Sequence, residues 1–323
     1  MDMANVALVL GAGGAAGTAF HAGALAALAE ISGWDPRTAN VIVGTSAGST
    51  TTGLLRAGLS AADLYQHMTG QPMSAAGAEL MRQTTAHSTS STSGQTTKSR
   101  FSSLPLPVAP GLALDLVKRP RRMKPITFGA AMAPAGRHRA ELLGRPFVGL
   151  HPGRWPQQDT WICAVDVDAG RRVVFGRDDR VAPMGLAIAA SCAIPAYYAP
   201  VTIGDRRYVD GAAHSVHNAD LISPDGLDAV VVSAPMSVTD QPGFSLDSAI
   251  RQGIRRQLRA ELRHLEQQGI PIITLAPGPR DRRVMSGNSM DLAMRPAIAQ
   301  VVKSSTMWFL TEKSPEYIRS LRT

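Results

Sequence analysis

Cysteine is scarce: the 323 residues carry two, Cys163 and Cys192. Both lie in apolar runs and read as small buried hydrophobes. A disulfide framework is thereby excluded, and nothing requires an oxidising compartment. No Cys/His cluster has the spacing of a zinc site. Aromatic residues make up 5% of the chain, too few to interleave basic patches as nucleic-acid stacking requires. Acidic residues are outnumbered, 25 Asp+Glu against 33 Lys+Arg, which leaves a net charge of +8. The positive charge is densest at 118–122 and 251–263. Such runs fit either a solvated arginine-rich surface or attraction to anionic lipid headgroups. The hydrophobic share, 44%, is ordinary for a globular chain and rules out disorder throughout.

Charge is missing altogether from residues 3–29. A signal peptide would need a positive segment ahead of the run, whereas Asp2 is the only early charge. A spanning helix would be weakened by the glycines at 11, 13, 14 and 17. A second uncharged run, 181–203, is broken by Pro183, Pro195 and Pro200. The expectation is no transmembrane helix, no cleaved leader and a cytoplasmic protein.

What is present begins with a short apolar strand at 6–10, a glycine loop and an Ala-rich helix at 15–30. A second buried strand at 40–43 leads into the turn Gly44-Thr45-Ser46-Ala47-Gly48 and a helix to about Arg56. This order predicts a parallel sheet with helices on its faces. Residues 84–103 are rich in Ser, Thr, Gly and Gln and predict a mobile loop inside the domain. Helical or irregular pieces are read at 112–117 and 126–132. Further strands are expected at 160–167, 172–175, 227–233 and 270–275, with a hairpin at 200–203 and 207–209. Helices are expected at 183–192, 247–268 and 296–310. The whole of 1–323 reads as a single domain.

The turn at 44–48 is a G-x-S-x-G. Small residues at −2 and +2 let a strand turn sharply into a helix and expose the Ser46 hydroxyl at the helix N-terminus. The glycine loop, Gly11-Ala12-Gly13-Gly14-Ala15-Ala16-Gly17, has two readings. One is a dinucleotide fingerprint of an oxidoreductase. That fingerprint wants an acid at the end of the second strand, where Val43-Gly44 runs instead into the serine turn. The other is an oxyanion hole, whose amides hold the negative oxygen of an acyl transition state. A nucleophilic serine needs a base. The eight histidines are His21, His67, His87, His138, His151, His214, His217 and His264. None has a recognisable catalytic context: His87 lies in the Ser/Thr segment and His264 on a charged helix. Asp210-Gly211-Ala212, after the strand Tyr208-Val209, offers a carboxylate at a strand end. Such a group serves as base where its surroundings disfavour ionisation. It fits a plain Asp-Gly turn equally well.

Together these blocks resemble the patatin-like phospholipase family. The resemblance runs through 8–17, the helix with His21-Ala22-Gly23-Ala24-Leu25, and 41–48. It continues in Ser191-Cys192-Ala193-Ile194-Pro195, Pro200-Val201 and Tyr208-Val209-Asp210-Gly211-Ala212. It implies a three-layer α/β/α fold with a mainly parallel central sheet. It implies a serine esterase or lipid acyl hydrolase that works without metal or organic cofactor. By motif match the nucleophile is Ser46, flanked by Gly44 and Gly48 of the elbow. The base is Asp210 of the Asp210-Gly211-Ala212 motif, and the oxyanion donors are the amides of Gly13 and Gly14. Implied partners are a lipid or small ester and an anionic membrane surface touched from outside, but no nucleic acid. The chain departs from the family pattern at Ala12, where another glycine is usual, and at Ala16, where Arg or Lys is usual. These departures leave open a catalytically weak, lipid-binding relative.

Overall fold

A computed structural model describes residues 4–89, 136, 138–151, 153, 155–178, 182–238, 246–285, 288–313, 318 and 321. The chain opens with β1 (Val6–Leu10), α1 (Gly14–Ser32), β2 (Val41–Thr45) and α2 (Ala47–Arg56). Helices α3 (Ala61–Thr69) and α4 (Ala75–Thr89) follow. A short strand β3 (His138–Arg139) precedes α5 (Glu141–Gly144) and α6 (Pro146–Leu150). Then come β4 (Asp159–Asp166), β5 (Arg171–Phe175), α7 (Met184–Ser191), β6 (Tyr198–Ala199), β7 (Val201–Ile203) and β8 (Arg206–Asp210). The last third holds β9 (Ala229–Ser233), α8 (Leu246–Gln267), β10 (Ile272–Leu275), α9 (Pro279–Met285) and α10 (Arg295–Trp308).

Eight strands form one sheet in the order β10-β9-β1-β2-β4-β8-β7, with β5 also paired to β4. From β10 to β4 every pairing is parallel; β5, β8 and β7 join antiparallel. The parallel strands are apolar at nearly every position because both faces are covered. Val6, Leu8 and Leu10 of β1 enter a core with Phe20, Leu25 and Leu28 of α1 and Val302 of α10. Ala7 and Val9, pointing the other way, pack with Leu258, Leu262 and Leu265 of α8. The fold is therefore a three-layer α/β/α arrangement.

One feature of register places the site. Residues 164–166 of β4 pair with β5 and with β8 at once, so those two strands lie on opposite edges. Ile162 and Cys163 pair with β5 and with β2, so β2 also lies opposite β5. Strands β2 and β8 thus share one edge of β4 and approach end to end. Thr45 pairs with Cys163, and Asp210 with the next residue, Ala164. The residue after β2 and the last residue of β8 are forced together.

The strands and long helices read from the sequence lie within about two residues of those observed. The serine- and threonine-rich segment needs correction. Helix α4 continues through Thr89, so residues 84–89 are helical rather than loop. Residues 90–103, 112–117, 118–122 and 126–132 lie outside the described residues. Among the described residues no helix is long and apolar enough to cross a membrane.

Two glycines make opposite predictions. A Cβ on Gly48 would lie 1.9 Å from the Leu10 carbonyl oxygen, because α2 starts hard against β1. Gly48→Ala is expected to cost roughly 3 kcal/mol or more by urea denaturation. A Cβ on Gly253, midway along α8, meets nothing within 4 Å. Gly253→Ala is expected to add about 0.5–1 kcal/mol in the same assay.

Candidate active site

Ser46 sits between β2 and α2 at φ 53 and ψ −117. A positive φ is unfavourable for a residue with a side chain, and such strain costs on the order of 1–3 kcal/mol. Crowding keeps its neighbours small: a Cβ on Gly44 would lie 2.5 Å from Thr52 Oγ1, and Gly48 faces Leu10 as described. The turn is fastened from outside. Its Ser46 N–H donates to Ser191 Oγ at 2.9 Å. Its carbonyl accepts from Ser49 Oγ at 2.6 Å and from the Cys192 thiol at 3.3 Å. Burial pushes the Cys192 thiol up to about 12, so it stays protonated and can donate. The next residue holds the other half of the site: the Ala193 carbonyl accepts from Asp210 N at 3.0 Å. Residues 191–193 therefore clamp Ser46 and Asp210 together.

Asp210 is 3% exposed. Burial raises its pKa from 3.8 to about 7, opposed by the nearby Ser46 hydroxyl and by the Ala212 N–H. The Ala212 N–H lies 2.8 Å from Oδ1. Gly211 and Ala212 begin a single 3-10 turn, Gly211–Ala213, that carries the chain away from the site. The serine hydroxyl and the raised carboxyl thus stand as neighbours in one buried site.

The glycine loop lies across the pocket from this pair. Gly11 N donates to the Ser233 carbonyl at 3.0 Å, Ala12 N to that of Val216 at 2.9 Å, and Ala16 N to that of Ser289 at 3.0 Å. These bonds pin the loop at three points. The amides of Gly13, Gly14 and Ala15 have no hydrogen-bond partner among the described residues. Gly14 takes φ +61, which only glycine adopts without strain. The departure at Ala12 falls on an amide already engaged by the frame. Gly13, Gly14, Ser46 and Asp210 all line one cavity of about 920 Å³, whose walls include Ile194, Pro195, Tyr197 and Met290.

Among the described residues no histidine lines that cavity. His21 is buried behind the glycine loop, bonded to the Gly11 carbonyl at 2.8 Å and Ser233 Oγ at 2.7 Å. Burial lowers its pKa to about 4, so it is neutral and acts as a strut for the loop. His217 is buried beside Gly11, and burial, with His21 nearby, lowers it to about 3. His151 holds the Gly53 carbonyl and His264 that of Ile222. His67 and His87 lie in α3 and α4, His138 in β3, and His214 just beyond the 3-10 turn. The dinucleotide reading finds no acid where it needs one, since β2 ends at Thr45 and passes straight into Ser46.

The clamp of Ser191, Cys192 and Ala193, and the strut at His21, were not assigned roles by sequence reasoning. Their bonds span more than a hundred positions or run to backbone carbonyls, and no periodicity or spacing reports such contacts. The only signal was the resemblance of the block at 191–195.

The profile of the patatin-like phospholipase family matches residues 8–222. No curated protein matches the chain. Among solved structures, the crystal structure of VipD from Legionella pneumophila is similar at 14% identity and a TM-score of 0.44, covering 99% of this chain and 67% of that one. The family match takes in β1 and its glycine loop, the serine elbow, the clamp and the aspartate turn, and the chain belongs to the patatin-like phospholipases, a family of lipid acyl hydrolases.

Proposed function

We propose that this single domain cleaves carboxylic esters of lipids through a Ser46–Asp210 dyad and an acyl-enzyme. The carrying observation is that Ser46 and Asp210 line one cavity, with the Ser46 hydroxyl acting on a carboxyl whose pKa burial raises to about 7. Ser46 Oγ attacks the ester carbonyl carbon while its proton passes to Asp210. The carbonyl oxygen becomes an oxyanion facing the amides of Gly13 and Gly14. One such donor is worth roughly 3–4 kcal/mol to the transition state. As the tetrahedral intermediate collapses, the C–O bond breaks and the alcohol leaves with the proton from Asp210. Water then attacks the acyl-serine, giving its proton to Asp210. Collapse frees the fatty acid and returns a proton to Ser46. A carboxylate is a weak base for a serine hydroxyl, and its raised pKa narrows that gap. Arg256, Arg259 and Arg263 are exposed on α8 and support attraction of the protein to anionic membrane lipids.

Ser46→Ala and Asp210→Asn are each expected to lower kcat on a p-nitrophenyl ester by about 10³-fold or more. A fluorophosphonate should label wild type at Ser46 and leave Ser46→Ala unlabelled; labelling at another serine, or turnover retained in both variants, would sink the dyad.

The raised carboxyl also sets a pH dependence. Asp210 must be ionised to accept a proton, so kcat/KM should fall about tenfold per unit below about pH 7 and level off above it. Stability runs the other way. Between pH 3.8 and about 7 the folded protein keeps a proton that the unfolded chain has released, so stability drops as pH rises through that window. Asp210→Asn lacks this loss. Its stability relative to wild type, from urea titrations, should grow between pH 5 and 8; a constant difference would refute the assignment.

A further inference from the structure

The chain that leaves the site after Asp210 turns back and touches it twice. The Gly211 carbonyl accepts from His214 N at 2.9 Å and Ser215 N at 3.1 Å, so the aspartate turn runs directly into a bend at 215–219. All five residues of the bend are buried. The Val216 carbonyl accepts from Ala12 N at 2.9 Å, one residue before Gly13. Asn218 Nδ2 donates to Thr45 Oγ1 at 3.0 Å, one residue before Ser46. The His217 ring stands between these contacts against Gly11, where a Cβ would lie 2.7 Å from Cδ2. One bend therefore grips both the glycine loop and the serine elbow.

The bend is itself fastened from outside. Ser215 Oγ accepts from His217 N at 3.2 Å and Asn218 N at 3.0 Å, which engages both lone pairs and leaves its proton to be placed. That proton goes to Glu261 Oε1 at 2.5 Å. Oε1 also accepts from Gln257 Nε2 at 2.9 Å, and Oε2 accepts from Ala219 N at 3.0 Å. Glu261 lies on the packed side of α8, 9% exposed and beyond the family match. From the other side Arg172 Nη1 donates to Asn218 Oδ1 at 3.0 Å. Three donors converge on the Glu261 carboxylate, and a group that only accepts satisfies them all.

We infer that Glu261, acting through this bend, is a positioning residue that sets the distance between the Ser46 hydroxyl and the amides of Gly13 and Gly14. This rests on the reading of those amides as oxyanion donors, and it names the residue that governs their placement. Neither Glu261 nor Asn218 is among the described residues lining the cavity, so neither touches the ester. An oxyanion donor acts fully only within about 2.7–3.1 Å of the oxygen. Misplacement by about 1 Å costs up to about 10²-fold in rate. Ester binding depends on the cavity walls and is left in place. Glu261→Gln keeps the shape but sets an NH2 group against either the Ser215 hydroxyl or the Ala219 amide, both of them donors. The bend then loses a fastening, and the loop at Ala12 and the elbow at Thr45 shift relative to each other.

Activity is read per competent site, with sites counted by fluorophosphonate labelling taken to completion, so that misfolded protein drops out. Glu261→Gln should lower per-site kcat on a p-nitrophenyl ester by about tenfold to 10²-fold. KM should stay within about twofold of wild type. The pH midpoint should stay at about 7, because Asp210 is untouched. Thr45→Val, close in shape but without the hydroxyl, should also lower per-site kcat. The double variant should lose about as much as the larger single one, because both act through one bend. Independently of activity, amide hydrogen exchange at 11–17 should quicken about tenfold or more in Glu261→Gln while β9 stays unchanged. Ser215→Ala, a milder break of the same contact, should quicken it less. A role in folding alone would leave per-site kcat at the wild-type value. That result, multiplicative losses in the double variant, or unchanged exchange at 11–17 would overturn the inference. Failure of the dyad would appear separately, as absent labelling of wild type at Ser46, and the exchange measurement would still decide whether Glu261 fixes the loop.

Discussion

The end-to-end approach of β2 and β8 on one edge of β4 is the constraint on which the site depends. A parallel strand and an antiparallel strand cannot continue through each other, so each must leave the sheet where they meet. Strand β2 leaves by the sharp turn at Ser46, and β8 leaves by the 3-10 turn after Asp210. Neighbouring residues of β4, Cys163 and Ala164, fix the gap between them. The segment 191–193 then closes over both, through a hydroxyl and a thiol on Ser46 and a carbonyl on Asp210. Backbone register brings the two groups together, so neither long side-chain reach nor a third catalytic residue is needed to unite them.

The same packing sets the chemistry of the aspartate. A carboxylate in water has a pKa too low to attract a serine proton. Removing water raises the value, and here the local hydrogen bonds offset only part of the rise. The ionised form at neutral pH is then held at a cost of about 4 kcal/mol relative to an exposed carboxylate. That is a sizeable fraction of the stability of an ordinary domain. The strained φ at Ser46 adds to it. Both penalties are borne by the sheet beneath, where β1, β2 and β9 are buried along their whole length.

Much of this was legible in the residues. The apolar runs of β1, β2 and β9 show no alternation, which is the mark of strands covered on both faces. The small residues at 44, 46 and 48 signalled the elbow because steric crowding leaves a local trace. Helices α3 and α4 escaped notice, although Ser60 caps α3 by accepting from Asp63 N at 3.0 Å. Helix α4 ends in Ser- and Thr-rich sequence whose composition argues for a loop, and propensity yields there to the turns before it. The clamp at 191–193 and the strut at His21 were illegible for a different reason. A buried histidine bonded to a backbone carbonyl has the same sequence appearance as a catalytic one, and only the fold distinguishes them.

The glycine loop joins these two kinds of information. Its departures, Ala12 and Ala16, look damaging as letters, yet both amides are tied to carbonyls of the frame and neither is aimed at the cavity as a donor. The positions whose amides stay unengaged, Gly13 and Gly14, are still glycines. A side chain at 12 or 16 thus changes the pocket wall without removing a donor. The frame that pins the loop is itself divided: Val216 lies inside the family match, whereas Ser233 and Ser289 lie beyond it. The reacting groups belong to the matched portion, while the surface facing them is supplied by the chain's last third. Sequence change in that last third can therefore reshape what enters the cavity while the register that unites Ser46 and Asp210 stays fixed.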